Sequence, residues 1–351
     1  MDYLIGTYTI DTKAKGLYRI RATTDGLPRC NDEAIALTNP SFLIRHPTLA
    51  MIYVVCEIGT TPGGILVALR LDEAGDWQQT QEVSTHGLDP CHLAISPNGQ
   101  WLAISHYSSG SFLLLGLDEQ GAIGSRSWLT SHAARYLKVK SRDGRKHPRQ
   151  QAAHVHAAYF LDTKRLLVCD LGTDEVVLYS LPMEESASVI ELGAWSLPPG
   201  SGPRHAALSV DGQQIYVVAE LSNEVFRLKM EKNGTLSTRN MGSCLPPGRQ
   251  GFSEAAEIHL DEARSSVWVS NRGLDSVVQI PLTSQARRSG NVAWQCGAHP
   301  RHFWMDASVL VIAARDDHVV QFIPRDTSGR LLLSRQMNVE VPSPVCILPL
   351  I

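Results

Sequence analysis

The 351-residue chain carries 32 Lys and Arg against 35 Asp and Glu, a net charge of -3, with 43% hydrophobic and 19% charged residues. That balance belongs to a globular protein with a sizeable core, and it excludes a disordered chain and a protein whose main partner is nucleic acid, which needs a strongly basic surface. The seven cysteines are odd in number and free of any C-x-x-C pair, so neither a disulfide framework nor a zinc site is indicated and they read as thiols in a reducing, cytoplasmic setting.

The N-terminal segment DYLIGTYT, followed by KGLYRIRAT, reads as two strands. It lacks a basic leader and a long apolar stretch, and no apolar run of about 18 residues occurs elsewhere, so neither export nor a membrane span is expected. Hairpins then follow in series: NPSFLIRHPTLAMIYVVCE from Asn39, DPCHLAISPNGQWLAISHY from Asp89, HVHAAYFLDTKRLLVCD from His154, GPRHAALSVDGQQIYVVAELSNEV from Gly202, AAEIHLDEARSSVWVSNR from Ala255 and HPRHFWMDASVLVIAAR from His299. Each places an alternating run before a turn such as Pro97-Asn98-Gly99 or Asp211-Gly212, then a run rich in β-branched and aromatic residues. Most continue into a third strand, as in SGSFLLLGLD at Ser109.

The repeat of about 50 residues is the period of propeller blades of three or four strands each. A seventh unit exists only if the ends are joined, with SPVCILPLI from Ser343 as its first strand and the N-terminal pair as the next two. The sequence therefore predicts an all-β fold, a seven-bladed β-propeller closed by a blade shared between the termini, with residues 1–351 as a single domain. Two stacked sandwiches would explain neither the single period nor the split unit.

In such a blade the start of the first strand and the end of the antiparallel second strand meet at one face. Equivalent positions are Ser41, Cys91, His154, Arg204, Ala256 and Arg301 for the first, and Glu57, Tyr107, Asp170, Glu220, Arg272 and Arg315 for the second. Residues between them are mainly apolar, so polarity is confined to one rim. The i, i+2 rule puts His156 beside His154, deeper in the channel. Convergent charges in a concave mouth mark a ligand site; the bland alternative is a ring of salt bridges that pins the blades together. A metal at His154 and His156 lacks a third ligand at diagnostic spacing, and Cys91 with His92 would point to opposite strand faces, which disfavours a nucleophile pair. The basic stretch 138–149 reads as a solvated loop or as a patch that steers anions.

The segments IGTYT with GLYRI, NPSFL, PCHLAISPNGQWLAISHY, RQQAAHVHAAYF, GSGPRHAALSVDG with VVAELS, AAEIHL with VSNRGLDSV, HPRHF and SPVCI, in order over nearly the whole chain, resemble the seven-bladed propeller lactonases. That family includes propeller-type 6-phosphogluconolactonase and carboxymuconate lactonizing enzyme. The resemblance implies a lactonase that hydrolyses 6-phosphogluconolactone, a small anionic sugar lactone of the pentose phosphate pathway, to 6-phosphogluconate at the channel mouth, with no cofactor, metal, nucleic acid, membrane or obligate protein partner. It implies His154, Arg204, Glu220 and Arg272 as catalytic residues, with either His154 or His156 as the functional histidine. His156, Arg301, Arg315, Tyr107 and Glu57 are the expected substrate contacts. A cycloisomerase acting on another lactone or dicarboxylate, and a non-catalytic binding platform, are the alternative functions.

In mechanistic terms Arg204 would donate to the developing oxyanion. His154 or Glu220 would act as general base. Arg272, Arg301 and Arg315 would hold a phosphate through forked hydrogen bonds.

Overall fold

The composition of each run decides where its strand lies in a sheet. MIYVVC forms the strand Met51–Cys56 with all six residues buried, whereas WQQTQEVS forms Trp77–Ser84, which is largely exposed. A strand covered on both faces reads as an unbroken apolar run, and only an outermost strand tolerates this many polar residues.

The computed structural model describes every residue except 24–25, 32, 144–146, 183–186, 232–235, 284, 286–289 and 351, and leaves the side chains of 141–143 undescribed. Among the described residues the strands form seven sheets. Six of these contain four strands each, and they begin at Pro40–Arg45, Pro90–Ile95, Val155–Phe160, Pro203–Leu208, Glu254–Asp261 and Pro300–Met305. Within each, the strands are paired in sequence order.

The seventh sheet runs Pro344–Leu350, Asp2–Thr7, Gly16–Ala22, Pro28–Cys30, with Ile35–Ala36 also paired to Gly16–Ala22. Its first strand is thus C-terminal and its second N-terminal, joined antiparallel with Ile5 opposite Ile347. The protein is an all-β seven-bladed propeller with one blade shared by the termini, as the split repeat implies.

By contact density the chain divides into two compact units. One comprises Met1–Ser41, Asn223–Val225 and Met241–Ile351; the other comprises Phe42–Ser222 and Phe226–Asn240. In the first, Tyr3, Ile5 and Ile347 of the shared sheet pack with Val311, Val320 and Phe322. In the second, neighbouring sheets meet through Ala103, Phe112, Val155 and Val168, and through Val176, Ile215 and Phe226.

Two local features depart from the sequence reading. An α-helix, Ala133–Asp143, stands where a loop was expected. Its basic residues obscure the pattern, but Tyr136 and Val139 are buried, one turn apart on the face turned inward. Residues 144–146 of the basic stretch lie outside the described residues.

The second departure is a β-bulge in the first strand of several sheets. The register skips between Ser105 and His106 opposite Cys91, between Val155 and Ala157, between Pro203 and His205, and between Pro300 and His302. The residues so displaced are Cys91, His156, Arg204 and Arg301. A bulge interrupts the two-residue alternation and re-aims its side chain, so the i, i+2 rule fails here. His154 precedes its strand, and His156 takes the place equivalent to Arg204. No helix among the described residues is long and apolar enough to cross a membrane.

Candidate active site

The bulge at Arg204 and the end of the neighbouring strand Gln214–Ala219 bring Arg204 and Glu220 together, as their places in the hairpin require. Arg204 Nε lies 3.0 Å from Glu220 Oε2, and the two side chains are only 2% and 1% exposed. Two charges leave water at this depth only if each compensates the other. Glu220 also faces His156, with Nε2 3.8 Å from Oε2.

A third partner was not singled out from sequence. Arg149 follows Pro148 in a short 3-10 turn and donates from Nη2 to Glu220 Oε1 at 3.0 Å. Its Nε and Nη2 also donate to the Tyr107 hydroxyl, at 3.0 and 2.8 Å. Arg149 remains 37% exposed, so Glu220 has one deeply buried guanidinium partner and one at the surface. The RQ of RQQAAHVH was the available signal, but it lay at the end of a basic stretch that reads as solvated loop.

The His154 ring is held at one face and at Nδ1. Its ring stacks on Tyr107, with centroids 4.3 Å apart and planes inclined by 16°. Its Nδ1 lies 2.9 Å from the Tyr107 carbonyl oxygen. A carbonyl only accepts, so Nδ1 carries a proton, and in the neutral ring Nε2 carries the lone pair. Nε2 is buried and has no hydrogen-bond partner among the described residues. Burial raises the Tyr107 phenol above its ordinary range despite the opposing charge of Arg149, so its hydroxyl stays protonated.

The His154 backbone is anchored by Asp170, whose Oδ1 accepts from the His154 amide at 2.9 Å. Oδ2 lies 2.8 Å from Nδ1 of His132, a residue that sequence reading did not single out. Burial works to raise the Asp170 carboxyl, but hydrogen bonds from His132, His154 and Thr173 outweigh it and hold the group below the ordinary carboxylate range. Gly172 makes this turn possible: a Cβ there would stand 1.9 Å from the Ala152 carbonyl oxygen.

Cys91 and His92 diverge. Cys91 Sγ lies 3.3 Å from the His156 carbonyl oxygen, while the His92 ring packs against Phe42, Tyr159 and His205. Glu57 is half-buried beyond the strand Met51–Cys56.

Arg272, Arg301 and Arg315 belong to the other unit. Arg272 is 5% exposed and lies 3.6 Å from Glu254. Arg301 sits over the Tyr8 ring at 5.3 Å, and Arg315 Nε lies 2.6 Å from Asp316. All three act on His299, whose imidazole is pushed down to about 3 by burial and by these guanidinium groups, against the opposing pull of Asp316. No group of three or more metal-ligating side chains occurs among the described residues.

The sequence matches the family described as Lactonase, 7-bladed beta-propeller over residues 2–349. It is 28% identical to a 6-phosphogluconolactonase of Bacillus subtilis, over 98% of this chain and 96% of that protein. It is 26% identical to a 6-phosphogluconolactonase of Formosa agariphila, over 93% of each. The structure of the periplasmic gluconolactonase PpgL of Pseudomonas aeruginosa superposes with a TM-score of 0.84 at 27% identity, covering 99% of this chain and 98% of that one. With the match running from residue 2 to residue 349, the chain belongs to the seven-bladed β-propeller lactonase family, and with it to the carboxylic ester hydrolases.

Proposed function

We propose that the protein hydrolyses 6-phosphoglucono-δ-lactone to 6-phosphogluconate, with the chemistry carried out by His154, Arg204 and Glu220. The observation that carries this reading is the lone pair on His154 Nε2, held buried and without a partner by the Nδ1 contact to the Tyr107 carbonyl. A base so placed takes a proton from water as the water oxygen attacks the lactone carbonyl. Arg204 stays protonated and stabilises the oxyanion of the tetrahedral intermediate. The intermediate collapses with cleavage of the bond between the carbonyl carbon and the ring oxygen, and the His154 imidazolium returns its proton to that oxygen. A carboxylic acid and a free hydroxyl result, and the acid ionises to the carboxylate by releasing its proton to solvent.

Glu220 orients Arg204 in this scheme, because both its oxygens already face guanidinium groups. His156, beside Glu220, and Tyr107, beneath His154, line the position of the substrate, with Glu57 as a further contact. Arg272, Arg301 and Arg315 are assigned to binding anions, the role that suits their charge. The names of the two bacterial relatives support the phosphorylated substrate. The seven cysteines, all free, support a reducing, cytoplasmic setting.

The test is acid release from freshly generated 6-phosphoglucono-δ-lactone, corrected for spontaneous hydrolysis, alongside glucono-δ-lactone. Faster hydrolysis of the phosphorylated lactone supports the assignment. Equal or slower hydrolysis removes the phosphate from the substrate.

A further inference from the structure

The residue before the Pro that opens a first strand has positive φ in several sheets: Asn39, Asp89, His299 and Ser343. At the first two, the side chain is spent on neighbouring loops. Asn39 Oδ1 accepts from the amides of Thr9 and Ile10, at 2.8 and 3.1 Å, and Asp89 accepts from the Ser108 hydroxyl. His299 occupies the same place, its amide donating to Asp275 at 2.9 Å, but its ring is only half engaged.

Arg315 Nη2 lies 3.3 Å from His299 Nδ1. A guanidinium only donates, so Nδ1 accepts and the single proton of the neutral ring sits on Nε2. The Asp316 carboxylate, 3.6 Å from Nδ1, is beyond hydrogen-bond distance and does not reverse this. The resulting Nε2–H donor is buried and has no acceptor among the described residues. A buried donor left unmade is costly, and the charges acting on the ring are three arginines against the single carboxylate of Asp316, with Arg315 also paired to Asp316 and Arg272 to Glu254.

We infer that His299 Nε2–H, with Arg272, Arg301 and Arg315, forms an oxyanion site that takes a phosphate monoester or free phosphate. This rests on the assignment of the three arginines to anion binding and adds to it a neutral, directional donor. Arg side chains supply charge and forked contacts, whereas an imidazole N–H fixes the orientation of one oxygen. The donor persists across the working pH range. Burial, and then the charges of Arg315, Arg272 and Arg301, oppose protonation of the ring while Asp316 favours it, and the balance leaves it neutral above about 3. Asp275 holds only the backbone amide.

The experiment is titration of the 15N-histidine-labelled protein with inorganic phosphate, 6-phosphogluconate and gluconate, followed by long-range 1H–15N correlation. His299, assigned from the His299→Gln spectrum, is expected to show the Nε2–H tautomer from pH 5 to 8. Phosphate and 6-phosphogluconate should both move its Nε2 resonance; gluconate should not. A response to 6-phosphogluconate alone restricts the site to the monoester and still supports it.

In calorimetry, His299→Phe should weaken phosphate binding by about tenfold to a hundredfold, the range for a hydrogen bond to a charged group. His299→Gln, whose amide nitrogen can stand in for Nε2, should restore it to within about threefold. Should the Phe variant fail to fold, the wild-type titration and the Gln variant decide. An Nδ1–H tautomer, or phosphate binding that leaves the His299 resonances unmoved, overturns the inference. Lactone hydrolysis is a separate readout: a His299 response without turnover of 6-phosphoglucono-δ-lactone keeps the anion site and rejects the proposed substrate.

Discussion

Replacing Arg204 by Ala removes a guanidinium that is 2% exposed and 3.0 Å from Glu220. Two effects follow and are measured separately. Breaking a buried ion pair by deleting one partner costs about 3 to 5 kcal/mol. Here the low end applies, because Arg149 still reaches Glu220 Oε1 at 3.0 Å and leaves the carboxylate compensated. The variant should therefore fold with a lowered urea midpoint.

Loss of one oxyanion donor costs about 2.7 to 4 kcal/mol of transition-state stabilisation, a fall in kcat of roughly two to three orders of magnitude. The assay is continuous acid release from 6-phosphoglucono-δ-lactone at saturating substrate, with circular dichroism confirming the fold. Arg204→Lys keeps the charge but loses the planar fork, and should recover only part of the rate. If the folded Ala variant retains kcat within about fivefold and only KM rises, Arg204 binds the ground state and the oxyanion role is wrong.

Other outcomes follow from the same geometry. His154→Ala should lower kcat by about two to four orders of magnitude with little change in KM; an unchanged kcat would return the base role to Glu220 or His156. Gly172→Ala places a Cβ against the Ala152 carbonyl and should destabilise by about 1 to 3 kcal/mol, read as a fall in urea midpoint; wild-type stability would show that the turn relaxes freely.

His106 is fully buried, and burial pushes its imidazole down from 6.5 to about 4. The unfolded chain therefore takes up this proton first. The stability contribution is complete above pH 6.5 and is lost as pH falls towards 4, by about 3 kcal/mol. Urea midpoints measured over that window should fall less steeply for His106→Asn; an identical slope would acquit His106.

Deleting Pro344–Leu350 removes Val345 and Ile347, which are 2% and 3% exposed, at about 1.5 to 3 kcal/mol each. It also uncovers the strand Asp2–Thr7. The loss is a large share of ordinary domain stability, so the truncated chain should be recovered unfolded or aggregated; a cooperative melt near that of the full chain would refute the role of the shared blade.

The arrangement of the blades was legible because it rests on local signals that repeat. Apolar runs, Pro starts and Gly turns recur at one spacing, and the C-terminal run SPVCILPLI lacks a partner except the N-terminal pair. The pairing of Arg204 with Glu220 was legible for the same reason, since antiparallel register alone brings the ends of a hairpin together.

What the tertiary structure decided depends on departures from regularity. The bulges at His156 and Arg204 break the two-residue period from which facing is read, so His154 and His156 could not be ordered from sequence. Arg149 reaches Glu220 from 71 residues away, through a connection whose helix is held by burial of Tyr136 and Val139 rather than by its own polar pattern. The tautomers of His154 and His299 are set by one acceptor and one donor. Sequence specifies that an imidazole is present; which of its nitrogens carries the proton is fixed only by the neighbour that folding brings within hydrogen-bond reach.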